Sequence, residues 1–240
     1  MPVDCLIVGQ GICGTFLSLY LKQAGLSVRV IDQQRPDSPS SVAAGLINPV
    51  TGRRVVKTWM IDELIPFCKE SYTLLGKMLN ITGIYERPVI DFFPNTDVRN
   101  AFFKKAGEGL EYIHTAETTN FSEWFNYELG YGTIRPAFVA NLREILPAYR
   151  KLLLNNHELY EEVFDPSLLI INENSVSYKQ LQFKYIFFCD GMHSYYNPWF
   201  SPLPFALNKG EALIIKAAGI PDTFTFKKSL SIIHLENDFY

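Results

Sequence analysis

A glycine-rich turn near the start of the chain constrains the fold more than any other feature. It has the spacing Gly9-x-Gly11-x-x-Gly14 and lies between an apolar run, VDCLIV at 3–8, and a segment with apolar residues at helical spacing. Gly9 permits a tight turn, Gly11 lets a pyrophosphate approach the backbone, and Gly14 lets the helix pack close to the sheet. The start of that helix offers N–H groups and a partial positive charge to phosphates. The turn therefore predicts a dinucleotide site.

An acidic residue at the end of the next strand supports this prediction. The stretch LSVRVID, 26–32, predicts a second strand that ends on Asp32, about 20 residues after Gly11, where a carboxylate accepts a hydrogen bond from a ribose hydroxyl. Its charge would repel a 2′-phosphate, which disfavours NADP. The alternative is a glycine-rich turn in an ordinary α/β protein, but strand, glycines, helix and acid all agree. Ile12 in the turn and Gln33 after the acid complete this group of candidate binding residues.

The rest of the chain alternates between strand-like and helix-like patterns. Pro88 lies inside one strand-like run and favours an edge position for it. The hydrophobic periodicity predicts helices at 55–79, 96–107 and 137–154. It predicts strands at 85–93, 130–136, 158–164, 174–180, 183–189, 211–217 and 229–235.

Composition excludes several classes of protein. The chain is 48% apolar, enough for a sizeable core, and its net charge of −3 comes from mixed acids and bases, which gives no signal for nucleic-acid binding. The four cysteines and four histidines show no metal-binding spacing, so we expect no metal site. The N-terminal sequence lacks the basic region of a signal peptide, and no apolar stretch is long enough to cross a bilayer. These features lead us to expect a cytoplasmic protein.

The segment after the second strand carries a family resemblance. Its sequence, SSVAAGLINP at 40–49, resembles the corresponding segment of the D-amino-acid oxidase and glycine oxidase family of FAD-dependent oxidoreductases. In that family a run of small residues lies against the pyrophosphate and the flavin, and small side chains let backbone amides reach the cofactor. The resemblance implies FAD as the cofactor and disfavours an NAD-dependent dehydrogenase. The candidate binding residues in this segment are Ser40, Ser41, Ala43, Ala44 and Gly45.

Two later segments resemble the same family. Glu162-Val163-Phe164 is similar to the segment whose valine backbone pairs with the adenine, which makes Val163 a candidate binding residue. Cys189-Asp190-Gly191 follows a buried strand and is similar to the place where the family's chain returns to the cofactor. Asp190 stands where the family more often has a small residue, and we expect its carboxylate to point away from the pyrophosphate.

The resemblance implies an α/β fold of two interleaved domains. One is a Rossmann-like FAD-binding domain, predicted at 1–85 and 150–205. The other is a substrate domain built on an antiparallel or mixed sheet, predicted at 86–149 and 206–240 and incomplete, because family members continue for another hundred or so residues. That further part normally holds the arginine that binds the substrate carboxylate, so the sequence assigns no catalytic residue.

The implied function is oxidation of a C–N bond in a small-molecule amine or amino acid, with hydride transfer to FAD. The flavin supplies the chemistry and the protein supplies orientation and electrostatics. Two alternatives remain open. One is a non-catalytic truncated chain that no longer holds FAD, and the other is a family member that acts on a modified base in tRNA. The sequence assigns neither an electron acceptor nor an oligomeric state.

Overall fold

The computed structural model describes residues 3–116 and 118–240, which form two compact units. Of the described residues, the first unit contains 3–43 and 142–211, and the second contains 44–116, 118–141 and 212–240. Both units combine helices with sheets, so the predicted α/β class is confirmed.

The helices and strands follow one another in both units. The α-helices are α1 (Ile12–Gln23), α2 (Pro39–Val42), α3 (Ile61–Leu79), α4 (Thr96–Gly107) and α5 (Leu142–Asn155). The strands are β1 (Val3–Val8), β2 (Val28–Ile31), β3 (Leu46–Ile47), β4 (Val50–Thr51), β5 (Val56–Lys57), β6 (Ile84–Glu86), β7 (Val89–Phe92), β8 (Ile113–His114), β9 (Tyr131–Ile134), β10 (Phe138–Ala140), β11 (Leu159–Tyr160), β12 (Leu169–Ile171), β13 (Val176–Tyr178), β14 (Leu181–Phe188), β15 (Thr225–Lys227) and β16 (Ser231–Ile232).

The first unit is built on a six-stranded sheet in the order β11-β2-β1-β14-β13-β12. The strands β11, β2, β1 and β14 are parallel, whereas β12 and β13 join antiparallel. Burial explains the parallel part, because Cys5 to Val8 form a continuous apolar run that is shielded from water. The helices α1 and α5 pack together, and the hydroxyls of Ser18 and Tyr149 share a hydrogen bond of 2.8 Å. Parallel strands bring their carboxyl ends to one edge, where ligands bind in such sheets.

The second unit contains three sheets. One has the order β3-β10-β6, one is the β4-β5 pair, and the largest has the order β16-β15-β7-β9-β8. Only the pairing of β15 with β7 is parallel, so this sheet is mixed. An apolar core that includes Val89, Phe102 and Ile134 lies under it.

The unit boundaries differ from the predicted domain boundaries. The sequence places residues 44–85 with the dinucleotide domain, whereas in the structure they belong to the second unit. Pairing explains the difference, because β3 and β6 both bind β10, and α3 packs against β6. The start of α5, at 142–149, lies in the first unit for the same kind of reason, because this helix packs against α1 and α2.

Three predicted elements also differ. The helix predicted at 137–154 is a strand, β10, followed by α5, and the strand predicted at 85–93 is interrupted before Pro88 to give β6 and β7. No strand forms at 211–217 beyond an isolated bridge at Lys216, and Leu213 is 86% exposed. A strand needs a partner as well as apolar residues, which a local pattern cannot supply.

Among the described residues, no helix has both the length and the apolar character that a membrane span requires.

Candidate dinucleotide-binding site

A cavity of about 590 Å³ opens at the carboxyl ends of β1, β2 and β14. Every residue that lines it belongs to the first unit. Ten of the predicted site residues line the cavity: Gly9, Gly11, Asp32, Gln33, Ser40, Ser41, Val163, Cys189, Asp190 and Gly191. Five do not: Ile12, Gly14, Ala43, Ala44 and Gly45.

The glycine turn joins β1 to α1 at the floor of the cavity. Gly11 is the N-terminal cap of α1 and has no side chain to cover the first turn of the helix. The N–H of Ile12 donates to the Oγ of Ser40 over 3.1 Å, so this backbone group points toward the cavity wall that α2 supplies. The first N–H groups of a helix have no partner within it, and here an oxygen from another element takes one of them.

Asp32 stands beside the turn with its carboxylate held in place. Its Oδ2 accepts from the N–H of Gln10 over 2.9 Å, and its Oδ1 accepts from the N–H of Gln34 over 2.8 Å. The second bond belongs to the loop after β2, and the first belongs to the glycine turn. Asp32 therefore connects the glycine turn to the loop after β2 by hydrogen bonds, and these two segments form this edge of the cavity.

Arg150 of α5 is a site residue that the sequence analysis missed. Its Nη1 donates to Oδ1 of Asp32 over 2.6 Å, and its Nη2 donates to Oε1 of Glu161 over 2.9 Å. Gln10 adds to this cluster, because its Oε1 accepts from Nη1 of Arg150 over 3.4 Å. The Arg150 side chain is only 6% exposed, and a charge so far from water is stable only with ionic partners.

The segment after β14 forms the opposite wall. The carboxylate of Asp190 accepts from the hydroxyl of Ser194 over 2.5 Å and from the amide of Asn197 over 3.2 Å. Both oxygens are thus engaged by the turn that follows, which reduces the repulsion that Asp190 would exert on an anion in the cavity. His193 from the same turn contacts Arg35 of the loop after β2, with 2.8 Å between Nε2 and Nη1.

Burial raises the pKa of the Cys189 thiol to about 11, and nearby Cys13 and Asp190 add to the effect. A thiol is nucleophilic only as thiolate, so Cys189 should stay protonated and unreactive near neutral pH.

Cys13 is exposed. We expect iodoacetamide at about pH 7 to label Cys13 well before Cys189, with labelling of Cys189 rising only as the pH approaches its pKa. Mass spectrometry of the peptides would measure this, and equal labelling rates would contradict it.

The small-residue segment is divided between the two units. Ala43 ends the first unit as the C-terminal cap of α2, whereas Ala44 and Gly45 open the second. Gly45 has a φ of +78°, and a Cβ there would lie 2.1 Å from the carbonyl oxygen of Ala140. Strand packing within the second unit therefore accounts for this glycine on its own.

The described residues contain no cluster of His, Cys, Asp and Glu that could hold a metal ion.

Similar folds occur among solved structures. Glycine oxidase from Geobacillus kaustophilus matches with a TM-score of 0.68 and 15% identity, over 97% of this chain and 68% of that one. Iminodiacetate oxidase from Chelativorans sp. BNC1 matches with a TM-score of 0.68 and 12% identity, over 98% and 70%. L-Amino acid deaminase from Proteus myxofaciens matches with a TM-score of 0.66 and 11% identity, over 95% and 55%. The chain thus spans about half the length of the amino acid deaminases that it matches.

Residues 4–156 match the family described as DAO, FAD dependent oxidoreductase. This match covers more than half of the chain, including the glycine turn, Asp32 and α5. This is the family that the segment at 40–49 resembles. The chain therefore belongs to the DAO family of FAD-dependent oxidoreductases.

Proposed function

We propose that this chain binds FAD in the cavity of the first unit and takes part in oxidising a C–N bond of an amino acid or secondary amine. The observation that carries the proposal is that Gly11, which has no side chain, caps the start of α1 and lines the cavity together with Asp32, at the carboxyl ends of parallel strands. Family membership specifies which dinucleotide is meant.

The glycine turn suits a pyrophosphate. A Cβ at Gly11 would lie 2.9 Å from the Oγ of Ser40, so the absence of a side chain keeps open the approach to the start of α1. The Oγ of Ser40 already accepts from the N–H of Ile12, and this is the bond that a phosphate oxygen would make. The hydroxyl can rotate and donate to the same phosphate, because a serine is both donor and acceptor.

Asp32 suits the adenosine ribose. Each carboxylate oxygen can accept about two hydrogen bonds, and Oδ2 accepts one from the N–H of Gln10. One acceptor position is thus open for a ribose hydroxyl. Val163 lies in the cavity wall with most of its side chain exposed, and its backbone is our candidate for contact with adenine.

The reaction class follows from the family and from the names of the similar proteins. A C–H bond of the substrate would break with loss of a hydride, and the adjacent C–N bond would become C=N as the nitrogen loses a proton. FAD, when bound, supplies the hydride acceptor. This chain's own residues hold the cofactor, and its first unit offers no acid or base that we assign to proton transfer. Glycine, iminodiacetate and L-amino acids appear in the names of the similar proteins and guide the choice of test substrates.

The direct test is the visible absorption spectrum of the purified chain, before and after incubation with FAD. We expect flavin bands that remain with the protein through gel filtration. Anaerobic addition of glycine, a secondary amine or an L-amino acid should then bleach the bands if the chain also catalyses the reaction. A protein that stays colourless with excess FAD contradicts FAD binding, and stable colour without bleaching by any amine contradicts catalysis by this chain.

A further inference from the structure

We infer that Arg150 is a positioning residue that sets Asp32 to recognise the adenosine ribose, an inference that rests on the proposed dinucleotide function. Arg150 lies in the middle of α5 and lines the cavity. Its guanidinium N–H groups donate to the carboxylates of Asp32 and Glu161. It is therefore placed to act on the ligand through Asp32.

The contacts of Arg150 fix both the side chain and the backbone of Asp32. Nη1 lies 2.6 Å from Oδ1, and Nη2 lies 3.2 Å from the main-chain oxygen of the same residue. The N–H of Gln34 takes the second acceptor position of Oδ1. With Oδ1 satisfied twice, the acceptor that remains for a ribose is on Oδ2.

Two further residues hold the guanidinium itself. Oε1 of Glu161 accepts from Nε over 3.2 Å and from Nη2 over 2.9 Å, and Oε1 of Gln10 lies 3.4 Å from Nη1. The planar guanidinium suits this task, because its donors point in fixed directions, whereas a lysine ammonium is a point charge on a flexible stem. Arg150 thereby connects the end of β2, the segment after β11 and the glycine turn.

Two effects of Arg150 can be separated by experiment. Its charge offsets that of Asp32, which favours any anionic ligand whether or not a ribose hydroxyl is present. Its hydrogen bonds orient Oδ2, which favours only a ligand with that hydroxyl. The ratio of the Kd values for ADP and 2′-deoxy-ADP therefore reports how well Oδ2 of Asp32 is positioned, separately from the effects of charge and of protein stability.

A matched control is present in the same unit. Lys22 of α1 forms an ion pair of 2.5 Å with Glu158, also partly buried, and neither residue lines the cavity. Lys22→Met removes a partly buried cation from the same unit but leaves the contacts of Asp32 untouched.

The experiment measures Kd for ADP and 2′-deoxy-ADP by titration calorimetry on the full chain, with a thermal melt of each variant. We expect the unmodified chain to prefer ADP by about tenfold, the value of one hydrogen bond to a charged group. Arg150→Met should reduce the preference to about twofold or less, and Lys22→Met should keep it. Arg150→Lys, which retains the charge, should fold and still lose much of the preference.

The outcomes distinguish the inference from the proposed function. A preference that survives in Arg150→Met, or in Arg150→Lys if the methionine variant does not fold, overturns the positioning role. An unmodified chain without any preference also overturns it, because Asp32 then does not recognise the ribose. Binding of ADP with the expected pattern but no binding of FAD supports the positioning role and contradicts the proposed function. No binding of either ligand overturns both.

Discussion

Gly14→Ala is expected to lower the midpoint of thermal unfolding by about 10 °C or more. A Cβ at this position would lie 1.9 Å from the carbonyl oxygen of Gly9 and 3.4 Å from Cγ2 of Ile7. The first of these is a backbone atom between β1 and α1, which cannot turn aside as a side chain can. The helix must move away from the sheet, at a cost of about 3 kcal/mol or more.

Thermal melts followed by circular dichroism would measure this effect. Gly210→Ala is the matched control, because no atom lies within 4 Å of the position that its Cβ would take and it belongs to the same unit. We expect the control to melt as the unmodified chain does. If Gly14→Ala melts at the same temperature as the unmodified chain, α1 does not approach the glycine turn as closely as in the structure.

Gly11→Val is expected to weaken FAD binding by about a hundredfold while leaving the fold nearly as stable as before. The backbone of Gly11 has φ −70° and ψ −167°, which any L-residue can adopt. The nearest atom to a new Cβ is the Oγ of Ser40, the end of a side chain that can rotate away with the loss of one hydrogen bond from the N–H of Ile12. The valine would instead fill the space through which a pyrophosphate approaches the start of α1.

The pair Gly11→Val and Gly14→Ala thus separates ligand binding from folding within one turn. Flavin retained after gel filtration, compared with the melting midpoint, reports both quantities for each variant. Gly210→Val adds an equal side chain outside the cavity and should change neither. Strong FAD binding by folded Gly11→Val would show that the cofactor does not pass over this residue.

The hydrophobic and glycine patterns correctly predicted those parts of the fold in which neighbouring elements follow one another along the chain. The first strand, the glycine turn, the first helix and the second strand are consecutive in the chain, and their order alone predicted the edge at which Asp32 lies. Residues 44–85 behaved differently, since β3 reaches its unit by pairing Leu46 with Val139, far along the chain. A pattern within a short window carries no record of such a partner.

Arg150 was missed although the sequence contains a signal for it. The buried positions of α5 are Leu142, Ile145, Leu146, Tyr149, Arg150 and Leu153. These follow the spacing of one helical face, and an arginine on an otherwise apolar face indicates a buried ion pair. The helix periodicity could therefore have identified Arg150 as unusual. Its partners could not have been identified, because Asp32 and Glu161 lie on separate elements that only the tertiary fold brings together.

A ribosome that makes this chain completes Gly9 long before Asn197, although both line the same cavity. At ordinary rates of synthesis the delay is roughly ten to forty seconds. Throughout it, the side of β1 that pairs with β14, from Val3 to Val8, has no strand beside it and is open to association with other unfinished chains. An FAD molecule that binds in this cavity would enter it only after Asn197 has been made, so it could not protect the nascent chain before that point.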